Sequence, residues 1–530
     1  MEVEPVLSLL GEPDHQCQHR AQQDENQERL VAEIHRRFIV DVVEDEGADG
    51  RASRRDAQGF DQGADAIDRV PVDAKLRHAV AQDTAYRSWR KIFRHGLYYR
   101  QRRDVCQCFF LVGAAARRRN DAVVLVVYVS PFLRKDVYLF LDRLSRIKGV
   151  RVGLISTLES ERLAPEVVAS IDGYWQVHDL LDVGQLVWAA RGLSQRFDLP
   201  IDRMFTEYEM IQLSVAQARA ELGVAGMSPE TVLNFRDKAV MKDRLRAAGL
   251  PCARHQSVDS VDQAWGFASR VGFPLIVKPV DGVGARSTFQ CDSADDFAQV
   301  MESDPPNAHH PLQLEEFVQG DEYTWDTVCV DGQVKWDSIT RYLPTPLEVL
   351  RNPWMQWRII SPREIDGPEF DDIRQVGQQA LRALGMGSNI GHMEWFRRPD
   401  GSLAISEVGA RPAGSRIFTA LNWANDYDMY DAWIRLMVLN SFTPPGERKY
   451  TVGTAFLRGV GVGEVVAVHG LQDMLERWGH LVVEAQLPYV GQLRADAYDG
   501  EGYLMLRHPE TRVVEEAILE IISRVQVVIG

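Results

Sequence analysis

Cysteine is scarce in this 530-residue sequence, and the six present (Cys17, Cys106, Cys108, Cys252, Cys291 and Cys329) include no paired CxxC. Scattered thiols exclude a disulfide framework and a paired-cysteine zinc site, and they fit a reducing, cytoplasmic setting. Cys106-Gln-Cys108 has histidines near it but no second ligand pair at usable spacing. No apolar run approaches the roughly 20 residues that a membrane helix needs. Nor does the N-terminus carry the basic and apolar regions of a secretory signal. Positive charge is in deficit: the formal net charge of −16 argues against nucleic acid or an anionic membrane surface as partner. Two phosphate-binding signatures are also missing. No Gly-Lys-Ser/Thr closes a Walker A loop, and no GxGxxG opens a dinucleotide site.

Sustained apolar periodicity is missing from residues 1–120. Gln, Arg, Asp and Ala crowd stretches such as His15-Gln-Cys-Gln-His-Arg-Ala-Gln-Gln-Asp24, and only 38–43 and 109–112 are apolar. Such a chain buries too little apolar surface to offset the entropy of ordering it. The expectation is a disordered extension, or a natural start near residue 121.

The rest is ordinary globular sequence, 45% hydrophobic and 26% charged over the whole chain, and long enough for several domains. From 121 to 225, short β-branched runs alternate with helical segments, which predicts a small parallel α/β domain. Thr231 to Gly249 reads as one helix, closed by Gly249 and Pro251. A second helix starts at Ser260, with Gln263 completing a capping box. Pro274-Leu-Ile-Val-Lys278-Pro279 is a short buried strand ending in a lysine, followed by a loop with Gly282, Gly284, Ser287 and Thr288. Glycines let backbone amides turn toward an anion, and the lysine adds a compact charge, so this stretch points to nucleotide phosphates. Leu312 to Val318 is the next strand. Hairpins centre on Asp331-Gly332 and on Pro399-Asp400-Gly401. The second hairpin carries His392 and Glu394 on one strand and Glu407 on the other. Residues 341–362, with Trp354 and Trp357, read as an irregular lid, and one long helix runs from beyond Arg416 to Leu439. The domain boundaries are expected near 225 and 445.

Two lysines (Lys238 and Lys278), a strand edge, two carboxylates and Arg411 make a coherent ATP site. Mg²⁺ needs hard oxygen ligands, and an arginine nearby can stabilise charge on a transferred phosphoryl group. In this order the motifs resemble the ATP-grasp superfamily, in particular its carboxylate–amine ligases, which include biotin carboxylase-like and amino-acid or dipeptide ligases. The resemblance covers 121–530 and implies a role for each matched residue. Lys238, in Asp237-Lys238, matches the first ATP lysine and Lys278 the second. Asp281 to Thr288, with Gly282, Gly284, Ser287 and Thr288, matches the glycine loop over the β- and γ-phosphates. Glu315-Glu316-Phe317-Val318 matches the hinge, whose backbone at Glu316 and Val318 binds adenine, and Glu322 would take the ribose hydroxyls. Glu394, in Gly391-His-Met-Glu394, and Glu407, in Ser406-Glu407-Val-Gly-Ala-Arg411, match the metal-binding pair. Arg411 matches the arginine that steadies the acyl-phosphate step. Lys278 and Arg411 are thus the catalytic candidates.

One departure stands out. Many members have Glu-x-Asn-x-Arg, and here Gly409 takes the place of the metal-binding asparagine, a feature shared with some amino-acid ligases. The loop also reads Gly284-Ala285-Arg286 rather than Gly-Ser-Gly. On the substrate side the candidates are Arg416, His392 and Trp357. Each also has an ordinary reading: Arg416 as a surface ion pair, His392 as a structural hydrogen-bond partner of its strand, Trp357 as cover for a core. The fold expected is α/β, in part α+β: an ATP-grasp domain after a small parallel α/β domain and before a C-terminal α+β domain. The resemblance implies an ATP-dependent ligase, using Mg²⁺ or Mn²⁺, that joins a small-molecule carboxylate to an amine through an acyl phosphate. A homodimer is expected by analogy only. Two alternatives stay open. One is a bicarbonate-activating enzyme, against which no Met-Lys biotin carrier is visible; the other is a non-catalytic nucleotide-binding module.

Overall fold

The computed structural model describes residues 123–279, 288–495 and 497–530. The expectations for residues 1–120 and for Gly282, Gly284 and Ser287 lie outside the described residues. The first module is β1 (Val124–Val129), α1 (Lys135–Ser145), β2 (Val150–Ser156), α2 (Pro165–Ser170), β3 (Gly173–Gln176), α3 (Val183–Phe197), β4 (Ile201–Phe205) and α4 (Gln212–Leu222). Its strands pair in parallel in the order β3-β2-β1-β4. The β1 run is apolar throughout because both faces are covered: Val126 and Tyr128 join one core with Phe140 and Leu144, while Leu125, Val127 and Val129 join another with Leu186 and Leu193. The chain leaves β1 toward β2 on one side and reaches β4 on the other. The crevice at their C-terminal ends is where a sheet of this kind offers functional groups.

The helix expected over 231–249 is broken. α5 (Pro229–Arg236) stops at Asp237, whose extended backbone caps α6 (Lys238–Ala247) and whose carboxylate accepts from the Ala239 and Val240 amides. An aspartate that satisfies two orphan N–H groups favours a cap over a helix interior. A lid sheet follows: β5 (His255–Val258), α7 (Val261–Val271), β6 (Leu275–Pro279), β7 (Phe289–Cys291), α8 (Ala294–Ser303) and β8 (Leu312–Glu316), in the order β5-β8-β6-β7. Ser260 does not cap α7; Gln263 Oε1 instead accepts from the Asp259 amide at 3.2 Å. The capping box forms on α8, between Ser293 and Asp296.

The central sheet is antiparallel. It collects β9 (Asp321–Val330), β10 (Gln333–Leu343), β11 (Trp357–Ser361), β12 (Asn389–Arg397) and β13 (Leu403–Gly409), with α9 (Pro346–Arg351) before β11 and α10 (Asp371–Leu384) before β12. Asp331 and Gly332 both take positive φ (50° and 76°), which a tight two-residue hairpin demands. The segment read as an irregular lid is ordered by the extension of β10, by α9 and by β11. The long helix is two, α11 (Ile417–Asn425) and α12 (Met429–Leu439), parted at Asp426 in a left-handed conformation and restarted by the Asp428 cap.

Beyond 445 come β14 (Thr451–Leu457), β15 (Gly459–Val460), β16 (Val465–His469), α13 (Leu471–Trp478), β17 (Val482–Gln486), β18 (Gly502–His508), α14 (Thr511–Arg524) and β19 (Gln526–Ile529). Of these, β14, β18 and β17 continue the central sheet, which runs β13-β12-β9-β10-β11-β14-β18-β17; β15, β19 and β16 form a small sheet of their own. Among the described residues no helix is long and apolar enough to cross a membrane.

Candidate active site

Strand register builds the centre of the site. On β12 and β13, Glu394 lies directly across from Glu407, and His392 directly across from Gly409. β12 also pairs with β9, setting Glu394 opposite Thr324 and His392 opposite Asp326. Side chains two residues apart on a strand share a face, so Glu322, Asp326, His392, Glu394 and Glu407 share one wall.

Partners fix each group. Tyr342, at the end of β10, donates its hydroxyl to Glu394 at 3.0 Å. His392 Nδ1 sits 2.7 Å from Asp326, which also accepts from the Thr324 hydroxyl at 2.7 Å. Burial opposes charge on this imidazole, but Asp326 and Glu394 outweigh it and lift its pKa to about 10. Lys238, the first residue of α6, reaches Glu407 at 3.1 Å. Burial again works against the charge, and Glu407 and Glu209 overcome it, raising the lysine's pKa. For Glu322 the balance goes the other way: burial, then Glu394 and Glu407, push its pKa well up, with Lys278 opposing too weakly to offset them. Even with Glu322 holding its proton, Asp326, Glu394 and Glu407 on this wall outnumber the two cations that face them, Lys238 and His392. Two opposed carboxylates and that excess fit a hard cation such as Mg²⁺, with nucleotide oxygens and water completing its shell. Among the described residues no three His, Cys, Asp or Glu side chains form a metal site by themselves.

The second lysine sits on the lid. Lys278 ends β6 and meets Glu315 of β8 at 2.8 Å; Lys242, one turn after Lys238 on α6, meets the other oxygen of Glu315 at 3.3 Å. Against the cost of burial, the two lysines hold the Glu315 carboxyl down to about 2. Lys278 itself is shifted down, first by burial and then by the neighbouring lysines, with Glu315 opposing. At the hinge, the Glu316 amide donates to the Arg254 carbonyl at 2.9 Å and the Phe317 amide to that of Pro274 at 3.3 Å. The Glu316 side chain pairs with Arg254 and, at 3.3 Å, with Arg398. Val318 and Thr288 are half-buried. Gly320, just past the hinge, is obligatory: a Cβ there would lie 2.3 Å from the Arg397 carbonyl oxygen.

Arg411 follows two residues after β13 and is held by the first module. Its Nε and Nη2 reach Glu209 at 2.8 and 2.5 Å, and the preceding Ala410 carbonyl accepts from Asn389 (2.7 Å) and Gln212 (3.0 Å). Arg411, Lys238 and Arg236 overcome burial and hold the Glu209 carboxyl down to about 2. Arg416 lies 4.7 Å over the Tyr503 ring, at a positive φ of 63° beside Ser415, also left-handed. Trp357 lies on β11. It is wholly buried, stacked 4.6 Å from Phe456, with its indole N–H on the Pro344 carbonyl at 3.0 Å, so its ordinary reading as cover for a core is the one its packing fits. Glu209, Lys242, Tyr342 and Asp326 belong to the site and were not singled out in the sequence. Only Lys242 had a local signal, its place four residues after Lys238 on one helix face.

Known proteins resemble this chain in sequence and in fold. Residues 237–323 match the family model of the carbamoyl-phosphate synthase L chain, ATP binding domain. An L-arginine-specific L-amino acid ligase of Bacillus subtilis is 25% identical over 244 residues, 45% of this chain and 58% of that one. An N5-carboxyaminoimidazole ribonucleotide synthase of Mycobacterium tuberculosis is 28% identical over 213 residues, 36% and 44% of the two chains. The crystal structure of an L-amino acid ligase from Bacillus licheniformis superposes with a TM-score of 0.62 at 17% identity, over 78% of this chain and 100% of that one, a likeness of fold. The chain spans about half the length of the curated relatives it matches.

Proposed function

We propose that this chain, a member of the ATP-grasp superfamily by its ATP-binding domain and its fold, is an ATP-dependent ligase that joins a small carboxylate to an amine. The observation that carries the reading is the convergence on one wall of Glu394 and Glu407, Lys238 on Glu407, and Arg411 beside them. In this reading the substrate carboxylate attacks the γ-phosphorus of ATP, and ADP leaves. The amine then attacks the acyl carbon of the resulting acyl phosphate, phosphate leaves, and an amide forms. Glu394 and Glu407 would hold Mg²⁺ or Mn²⁺, which when bound neutralises phosphate oxygens. Lys238 and Lys278 would exchange their present carboxylates for the triphosphate. Arg411, kept charged and oriented by Glu209, would stabilise negative charge on the transferring group and on the tetrahedral intermediate. His392, on the same wall, and Arg416, over the Tyr503 ring, are the substrate-side candidates.

The test is ADP release from ATP and Mg²⁺ across a matrix of amino acids and small carboxylates, with mass detection of products and Glu407→Ala as the blank. Release that needs both an acid and an amine, with a condensed product, is the expected result. Release with bicarbonate alone would replace ligation by carboxylation. ATP binding without turnover anywhere in the matrix would leave a non-catalytic module.

A further inference from the structure

We propose that Gln313 reads the base of the nucleotide, its side-chain amide pairing with N6 and N7 of adenine. The assignment rests on the nucleotide-binding reading above and goes further, to the choice of base. Gln313 lies on β8 between Leu312 and Leu314, which face the lid core with Val277 and Phe297. Alternation therefore turns Gln313 and Glu315 to the opposite face, where Lys278 is the direct cross-strand neighbour of Gln313. Gln313 is wholly buried. Among the described residues, neither its Nε2 nor its Oε1 has a hydrogen-bond partner. Lys242 Nζ on the same face, although ion-paired, also makes no hydrogen bond of good geometry.

An unsatisfied buried polar group costs on the order of 1–3 kcal/mol, and an amide with both ends orphaned incurs that cost twice. A ligand that completes the amide removes that cost, and the donor and acceptor together name its chemistry. A carboxamide offers one donor and one acceptor side by side, and the adenine edge offers an acceptor at N7 and a donor at N6. Guanine presents acceptors at both positions and would leave Oε1 facing O6. Phosphate oxygens only accept, so a phosphate would set an anion against Oε1. The hinge at 316–318 stands beyond Glu315 on the same strand, leaving the N6/N7 edge for the inner position. Lys278, the cross-strand neighbour of Gln313, would leave Glu315 for the triphosphate when a nucleotide binds.

Equilibrium binding to the full chain, measured by calorimetry without turnover, tests this with ATP, 7-deaza-ATP, GTP and inorganic tripolyphosphate. Wild type should bind ATP about tenfold tighter than 7-deaza-ATP or GTP, as loss of a bidentate contact implies. Gln313→Leu should bind ATP and 7-deaza-ATP alike and leave tripolyphosphate affinity unchanged. The analogue comparison in wild type needs no variant to fold. Equal affinity of wild type for ATP and 7-deaza-ATP would overturn the assignment while leaving the ligase reading intact, and would mean that water satisfies the amide. An equal loss of ATP and tripolyphosphate binding in Gln313→Leu would also overturn it. Failure of wild type to bind any nucleotide would overturn both.

Discussion

Glu315 carries two lysines on one carboxylate that is largely withdrawn from water. Three buried charges persist there only because each compensates another, and removing the shared member leaves two cations facing each other. Glu315→Gln should cost about 3–5 kcal/mol in urea unfolding at pH 7, the usual loss for breaking a buried pair. The pH dependence has a definite sign. A carboxyl held near 2 in the folded chain contributes stability that is present above its unfolded value and lost as pH falls through the folded one. Wild type should therefore lose its advantage over Glu315→Gln between pH about 4.5 and about 2, read from unfolding midpoints across that window. Gly409 offers the opposite case, a residue that can be enlarged. A Cβ there meets only ordinary contacts, 3.8 Å to Arg411 Cγ and to the His392 carbonyl oxygen, and its φ is not left-handed. Gly409→Asn should fold with stability within about 1 kcal/mol of wild type. It should also bind Mn²⁺ more tightly in the presence of ADP, measured by electron paramagnetic resonance.

At the scale of elements, the kink at Asp237 puts Lys238 at the head of a helix instead of in the middle of one. Asp237→Ala removes an acceptor from two amides and should cost about 1 kcal/mol, the usual value of a cap. If the cap also aims Lys238, tripolyphosphate affinity should fall, whereas a purely structural cap would lower the melting temperature alone. The signal for this kink is present in the sequence, an aspartate ahead of helix formers, but the apolar stripe running through it reads as one helix. Local turn chemistry was more readable. Asp331-Gly332 fixed its hairpin because few residue pairs accept two positive φ values. Glu394 and Glu407 stand out as carboxylates on paired strands, but counting from the turn sets Glu394 opposite Ser406, and a bulge next to Trp395 is what brings Glu407 across from it. Glu209 was not readable, since it meets Arg411 across 202 residues of chain and only the packing of two modules joins them. The burial of Trp357 was hidden for a related reason: an aromatic among prolines looks like a lid until β11 is seen to pair with β14.

Over the whole molecule, the first module supplies charge as well as support. Glu207, at the end of β4, is buried with Tyr128 (2.6 Å) and Ser130 (3.0 Å), and burial, against those bonds, lifts its carboxyl to about 7. Here the folded chain holds a proton that the unfolded chain releases, so stability falls as pH rises from about 4.5 to about 7 and then levels. Glu207→Gln should abolish that fall, seen by comparing melting temperatures at pH 5 and pH 8. The central sheet has a consequence for where the chain can be cut. Its strands β14, β18 and β17 come from beyond residue 450, and β14 covers the outer edge of β11 from Trp357 to Ser361. A chain ending near Pro445 would keep every residue matched to nucleotide and metal, yet expose that edge as an open template for other chains. It should precipitate as β-rich aggregate, so the motifs that identify the site mark out less than the smallest piece able to use it.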